Sequence, residues 1–302
     1  MNNNYNFSSL FKKANFFSLV VFLLSVIFII FKGLNYGIDF KGGTLIELRV
    51  TDQNIDISQI RQSVSKYNIG DLNIKEFGNK GDYLIKIEKS TDEDKDFISE
   101  LKKNLKTDLQ TELNFRRVEK VGPKVSAELL ESGLIAIGLS LAAMLFYIWI
   151  RFEWQFSVGA IVALFHDVII TIGIFSILSF EINLSIIAAV LTIVGYSMND
   201  TVVIYDRIRE NLNKYNRMTI SEIADLSINE TLSRTIITSV TTLLALFSIF
   251  ILGGEILKGF SFAMILGVFI GTYSSIFVAS PILKYFKVSY KTMEKKEEKI
   301  LP

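Results

Sequence analysis

Six apolar runs constrain this chain more than any other feature: Phe16 to Phe31, Gly133 to Ile150, Phe156 to Leu178, Ile182 to Ile204, Thr235 to Leu252 and Phe260 to Leu283. The hydrocarbon core of a bilayer is about 30 Å thick, and a helix of about 20 predominantly apolar residues crosses it. Backbone polar groups there must be bonded within the chain, so continuous runs of this length are helices. The chain reads as a multi-pass α-helical membrane protein. Half of its residues are hydrophobic and its formal net charge is +1, which suits that class. The first run follows Lys12 and Lys13 and resembles a secretory signal, but Phe31, Lys32 and Gly33 supply no small-x-small cleavage pattern. It is therefore expected to stay as the first transmembrane helix, with residues 1–32 forming that helix and a short cytoplasmic tail.

Between the first and second runs the composition changes. Lys41 to Lys124 holds 16 Lys and Arg interspersed with acids, a mixture that suits a solvated surface and not a nucleic-acid footprint. Thr44 to Val50 alternates as a strand, and Asp56 to Tyr67 has helical spacing after an Asp cap. Asn73 to Phe77 and Tyr83 to Glu88 read as two strands around Gly78 to Gly81. Asp92 to Leu105 repeats Phe97, Ile98, Leu101 and Leu105 at helical spacing, and Thr111 to Val121 is a last strand with one break of phase. The order β-α-β-β-α-β predicts a ferredoxin-like α+β domain over 33–130. A five-helix bundle over 131–284, with a cytoplasmic loop at 205–234, and a cytoplasmic tail at 285–302 complete the division.

Orientation follows from the basic residues flanking the spans. With the N-terminus inside, the cytoplasmic segments carry 14 Lys and Arg, while the opposite short turns carry only Lys258. Both termini are then cytoplasmic and the α+β domain lies outside.

Polar residues within the spans mark candidate functional sites, because carboxylates are costly at membrane depth. His166 and Asp167 lie about 15 Å into the third span, near the midplane. Adjacent helical residues diverge by about 100°, so the two are not expected to share one direction. A lone interior His is often a neutral hydrogen-bonded core residue, whereas Asp167 must be protonated, paired or hydrated. Asp200 sits in the inner third of the fourth span. It either snorkels to the cytoplasm or is buried, and Arg234 at the start of the fifth span lies at a depth that allows an ion pair with it. Gly195, Ser197 and Asn199 suit close packing and hydrogen bonding around Asp200. The last span places Ala263, Gly267, Gly271, Ser275 and Ala279 four residues apart on one face, a pattern that lets helices approach closely. The fifth span carries Thr235, Thr238, Ser239, Thr241 and Thr242 on its inner half.

Some chemistry is excluded. There is no cysteine and a single histidine, so neither disulfides nor a usual zinc site is expected, and no cofactor is implied. Asp167 and Asp200 superficially offer the carboxylate pair of an intramembrane aspartyl protease, but Met198-Asn199-Asp200 lacks a glycine-flanked aspartate.

Longer motifs point to a family. Gly37-Ile-Asp-Phe-Lys-Gly-Gly-Thr44, Val121-Gly-Pro123, Ala163-Leu-Phe-His-Asp167, Val194-Gly-Tyr-Ser-Met-Asn-Asp-Thr-Val-Val203, Tyr205-Asp-Arg-Ile-Arg-Glu-Asn211 and Leu232-Ser-Arg-Thr-Ile-Ile-Thr-Ser239 occur in this order among six spans. Over essentially its whole length the chain resembles the SecF subunits of the bacterial SecD/SecF family, which are related in architecture to the resistance-nodulation-division exporters. The resemblance implies a non-enzymatic subunit of the inner membrane that uses the proton-motive force, with SecD, to assist late preprotein export. It implies SecD on a separate chain as obligate partner, SecYEG, SecA and YajC as further partners, and unfolded exported polypeptides as cargo. It also implies proton coupling at Asp200 and Arg234, and it leaves His166 and Asp167 as candidates for the same path. A structural subunit that stabilises the translocon without conducting protons is the alternative.

Overall fold

The computed structural model describes residues 5–52, 55–66, 72–76, 78–87 and 97–290. In chain order its elements are α1 (Phe11–Phe31), β1 (Asn35–Tyr36), α2 (Ile38–Lys41), β2 (Gly43–Val50), α3 (Ile57–Ser65), β3 (Leu72–Glu76), β4 (Asp82–Ile87), α4 (Phe97–Leu109) and β5 (Leu113–Val121). These are followed by α5 (Pro123–Arg151), α6 (Trp154–Leu178), β6 (Glu181–Ile182), α7 (Leu184–Lys214), α8 (Ile220–Leu252), α9 (Gly254–Ser274), a π-helical turn (Ser275–Ala279) and α10 (Ser280–Tyr285). Among the described residues six helical segments are long and apolar enough to cross a membrane: α1, α5, α6, α7, α8 and the continuous stretch Ile256–Tyr285. Two compact units result. One comprises Tyr36–Ala136 with Glu181–Leu184, and the other Met1–Asn35, Ile137–Phe180 and Ser185–Pro302.

The first unit is the expected α+β fold. Its four strands are antiparallel in the order β3-β4-β2-β5, the ferredoxin-like arrangement. Alternation in β2 turns Ile46, Leu48 and Val50 inward, where they meet Ile85 and Ile87 of β4, Ile60 and Val64 of α3, and Leu101 and Leu105 of α4. The break of phase in the last strand is a register shift: Arg117 pairs with Glu47 and Phe115 with Leu48, leaving Arg116 between them. Asp56 caps α3 through a capping box with Gln59. Gly42, at φ +78°, makes the turn into β2, where a side chain would also press on the Val121 carbonyl oxygen at 3.3 Å. Asp39 accepts the Leu184 amide at 2.9 Å, and the Gly37 amide donates to Ile182 O at 2.8 Å within the β1–β6 pairing. The expected strand ends at Phe77 and Glu88, the helix start at Asp92 to Asp96 and the tail from 291 lie outside the described residues.

The second unit is a helical bundle in which α1 packs on α6, and α9 packs on both α6 and α8. Its contacts rest on small residues. Gly173 of α6 seats against Ser25 of α1, and Gly159 leaves room for Tyr205, whose hydroxyl donates to Ala279 O at 2.9 Å. Pro281 has no N–H, and the helix widens into the π-helical turn just before it, with Ser280 Oγ donating to Ser275 O at 2.9 Å. The segment expected as loop 205–234 is mostly helix. Only residues 215–219 separate α7 from α8, because the polar ends are held by Arg207 against Glu210 and Glu230, by Asn211 against Ser227 and by a Thr219–Glu222 capping box. Loss of apolarity ends a membrane span but not a helix, whose backbone bonding continues in water. The N-terminal segment is fastened to α8: Asn229 exchanges hydrogen bonds with the Tyr5 backbone, and Ser8 donates to Asp225 from both its amide and its hydroxyl.

Candidate functional site

The helices that meet at the site are apolar on nearly every side, so residue size decides which face turns inward. Along α9 and the π-helical turn that continues it, the stripe Ala263, Gly267, Gly271, Ser275 and Ala279 is buried as expected. Gly267 lies against Ile193, and a Cβ at Gly271 would come within 2.9 Å of Ser197 Cβ and 3.2 Å of Ser197 Cα, so α7 and α9 approach almost backbone to backbone. Gly195 and Asn199 are different: both are exposed, and nothing lies within 4 Å of a Cβ at Gly195. They stand on the face of α7 turned away from α9, and their expected packing role finds no partner among the described residues. The 100° step of the helix separates Asn199 from Asp200.

That close seam delivers hydroxyls to two buried carboxylates. Asp167 is fully buried. Its Oδ2 accepts hydrogen bonds from Ser197 Oγ of α7 and, at 2.7 Å, from Ser274 Oγ of α9. Its Oδ1 lies 2.9 Å from His166 Nδ1. The two neighbours were not expected to share a direction, yet they bond to each other and both are buried. Their Cβ vectors diverge, but an imidazole and a carboxyl are long enough to close the gap over the groove between helices. The His166 ring lies against Tyr273, with centroids 6.4 Å apart, and the Tyr273 hydroxyl donates to Ala14 O of α1 at 2.9 Å while lying 2.9 Å from Ser18 Oγ.

Asp200, one turn beyond Ser197, is only 3 % exposed, which decides between burial and snorkelling. Its Oδ2 takes a long hydrogen bond from Thr272 Oγ1 at 3.4 Å, and Thr272 Oγ1 is 2.8 Å from Ser239 Oγ of α8. Arg234 is exposed and forms no ion pair with Asp200 among the described residues. Ser239, which the relay reaches, lies five residues along α8 from Arg234, about 7.5 Å at 1.5 Å per residue, a separation that an extended arginine side chain spans. The other hydroxyls expected to be polar on this helix bond mainly to their own backbone, as Thr238 does to Arg234 O and Thr241 to Ile237 O.

Sequence reasoning did not single out Ser274, Thr272 or Tyr273. One signal was available: Ser274 stands three residues after Gly271 and seven after Gly267, on the face already marked by small residues. Among the described residues no cluster of three or more His, Cys, Asp or Glu side chains could hold a metal ion.

Comparison with known proteins places these residues in context. Residues 101–289 match the family described as protein export membrane protein SecD/SecF, C-terminal, and residues 27–53 match the SecD/SecF GG motif. The protein translocase subunit SecF of Rickettsia bellii is 47% identical over 278 residues, covering 91% of each chain, and that of Rickettsia prowazekii is 46% identical over 278 residues, covering 91% of this chain and 89% of the relative. The crystal structure of SecDF, a translocon-associated membrane protein from Thermus thermophilus, superposes with a TM-score of 0.84 at 35% identity over 95% of this chain. SecDF in a super-membrane-facing form gives a TM-score of 0.70 at 34% identity over 99%. This chain spans only 39% and 40% of those two SecDF chains.

Proposed function

The chain belongs to the SecD/SecF family of protein-export membrane proteins, as a SecF subunit with a role in Sec-dependent transport, and from this we propose that it uses the proton-motive force, with SecD, to promote late stages of preprotein translocation across the bacterial inner membrane. The relatives are named protein translocase subunits, which supports a transport role for this chain and not a catalytic one. SecD is the partner with which it works. SecYEG, SecA, YajC and the unfolded exported polypeptide are the other partners. The termini face the cytoplasm and the α+β unit the periplasm.

The observation that carries this reading is Asp200, a buried carboxylate on a membrane-crossing helix, held among the described residues by one long hydrogen bond from Thr272, with Arg234 exposed and in no ion pair with it among the described residues. A group so weakly held exchanges partners readily. Charged, it draws Arg234 toward it; protonated, it releases the arginine and keeps its bond to Thr272. Asp167 and His166 form the second part of the same path. Each elementary charge that crosses 100 mV supplies about 2.3 kcal/mol, enough to bias a domain movement between states a few kcal/mol apart.

The test is the proton-gradient dependence of late precursor export in vesicles carrying Asp200→Asn with SecD present and the complex shown to be intact. Loss of gradient-driven acceleration is expected. Unchanged acceleration would make Asp200 a structural residue. The rival reading, a subunit that stabilises the translocon without moving protons, draws on the full hydrogen-bond shell of Asp167, and it gains if the export defects of site variants track only their stability.

A further inference from the structure

One polar atom in the bundle core is left over by the hydrogen-bonding just described. His166 is 5 % exposed, its Nδ1 faces Asp167, and its Nε2 is buried without a hydrogen-bond partner among the described residues. Unpaired buried polar atoms are rare and need a reason.

The surrounding donors fix what that atom is. When the Ser197 and Ser274 hydroxyls both donate to Asp167 Oδ2, that oxygen carries no proton. If Oδ1 accepts the Nδ1–H as well, the carboxylate is ionised and Nε2 is left as a bare lone pair. The group then has room for one more proton at Nε2, which converts a buried carboxylate beside a neutral ring into an imidazolium–carboxylate pair. We infer that His166 Nε2 is a second proton-binding site of the bundle, with Asp167 as its fixed counter-charge. This rests on the proton-coupling reading above and adds the atom that binds and the group that positions it.

Among the described residues of the elements packed around the ring, no other fixed charge touches it. On α6 the facing titratable group is Asp167. On α9 it is Tyr273, stacked on the ring. On α1 the contact is made by Ala14 O and Ser18, through Tyr273, while Lys12 and Lys13 are exposed. The π-helical turn, Ser-Ile-Phe-Val-Ala, has no titratable side chain, and Lys284 and Tyr285 of α10 are exposed. On α7 the contact is Ser197, with Asp200 one turn beyond.

A consequence for coupling follows. Without the extra proton, the buried negative charge depends on the Ser197 and Ser274 hydroxyls, which tie α7 and α9 to α6. With it, the imidazolium takes over that role and the two serines are free to move, Ser274 to Gly271 O, already 3.1 Å away. Proton binding at His166 thereby loosens the seam that carries Asp200.

His166 is the only histidine in the chain, so ¹⁵N-histidine labelling reports on it alone. The labelled chain, reconstituted in bilayers with unlabelled SecD, is followed by solid-state NMR from alkaline to acidic buffer. The expected spectrum shows a protonated Nδ1 and a bare Nε2 at the alkaline end and both nitrogens protonated at the acidic end, and in Asp167→Asn the doubly protonated form is lost from that range. An Nε2 that carries hydrogen throughout, or that never gains it, overturns the inference and needs no variant to show it. His166→Asn, which keeps an N–H toward Asp167 but cannot titrate, is expected to reduce gradient-driven export acceleration at least about tenfold in an intact complex. If Asp200→Asn abolishes acceleration while the histidine does not titrate, only this inference falls; if Asp200→Asn has no effect, the proton-coupling reading falls first.

Discussion

Replacing Gly271 by alanine separates packing from every other effect of the change. A Cβ there would sit 2.9 Å from Ser197 Cβ and 3.2 Å from Ser197 Cα. The second neighbour is backbone, so no rotamer of Ser197 relieves it; α7 and α9 must part by several tenths of an ångström. Overpacking of this kind costs about 1 to 3 kcal/mol. Against it stands the gain of replacing glycine by alanine within a helix, about 1 kcal/mol. Gly195→Ala provides the control: it is also mid-helix, also gains that propensity, and meets nothing within 4 Å. The chain alone in micelles, unfolded by denaturant, should therefore be slightly more stable as Gly195→Ala, and Gly271→Ala should lie about 1 to 3 kcal/mol below that control. Ser197 bonds Asp167, so under the proposed function the same displacement should reduce gradient-driven export acceleration in the assembled complex. Equal stabilities for the two variants would refute the close α7–α9 seam on which the site's geometry depends.

Three further outcomes are expected. Asp82 is 3 % exposed, and the Arg49 guanidinium bonded to it, helped by Arg116, holds its carboxyl below the ordinary value despite burial. Its contribution to stability is present above the usual aspartate value of about 3.9 and fades as pH falls through the lower folded value, so Asp82→Asn should flatten the acid dependence of α+β-unit unfolding, read by hydrogen exchange of the sheet amides. Leu101→Ala removes a fully buried side chain from the core of that unit and should lower its unfolding free energy by about 2 to 5 kcal/mol, measured the same way. Asp225→Ala strips the acceptor from the Ser8 amide and hydroxyl; the N-terminal segment should become cleavable by protease in the intact complex, and unchanged resistance would assign the fastening to Asn229 or to Phe7 packing on Phe277.

Much of the fold was legible in the sequence because its determinants are local. Six spans follow from apolar length, whatever they pack against. The βαββαβ order follows from period-two and period-3.6 alternation, which in a half-solvated unit reports directly on which side meets the core, and the break of phase near Arg116 could be read as a bulge for the same reason. Asp56 as a cap depends only on the residues that follow it. Asp167 and Asp200 stood out because carboxylates at membrane depth are costly wherever they lie.

Only the tertiary structure decided what those carboxylates touch. A helix surrounded by lipid and other helices is apolar all round, so the alternation that betrays an inward face in water is missing; this is why Gly195 and Asn199 were grouped with Gly267 and Gly271, although the first two face outward. The His166–Asp167 bond, the Ser274 hydroxyl on Asp167 and the Thr272 hydroxyl on Asp200 depend on the rotation of α6, α7, α8 and α9 about their axes. That rotation is set by contacts such as Gly159 with Tyr205 and Gly173 with Ser25, between residues far apart in the chain. The sequence by itself determined that carboxyl groups lie at membrane depth in this bundle; the packing of small residues across it determined that they are buried and which hydroxyls and which imidazole nitrogen meet them.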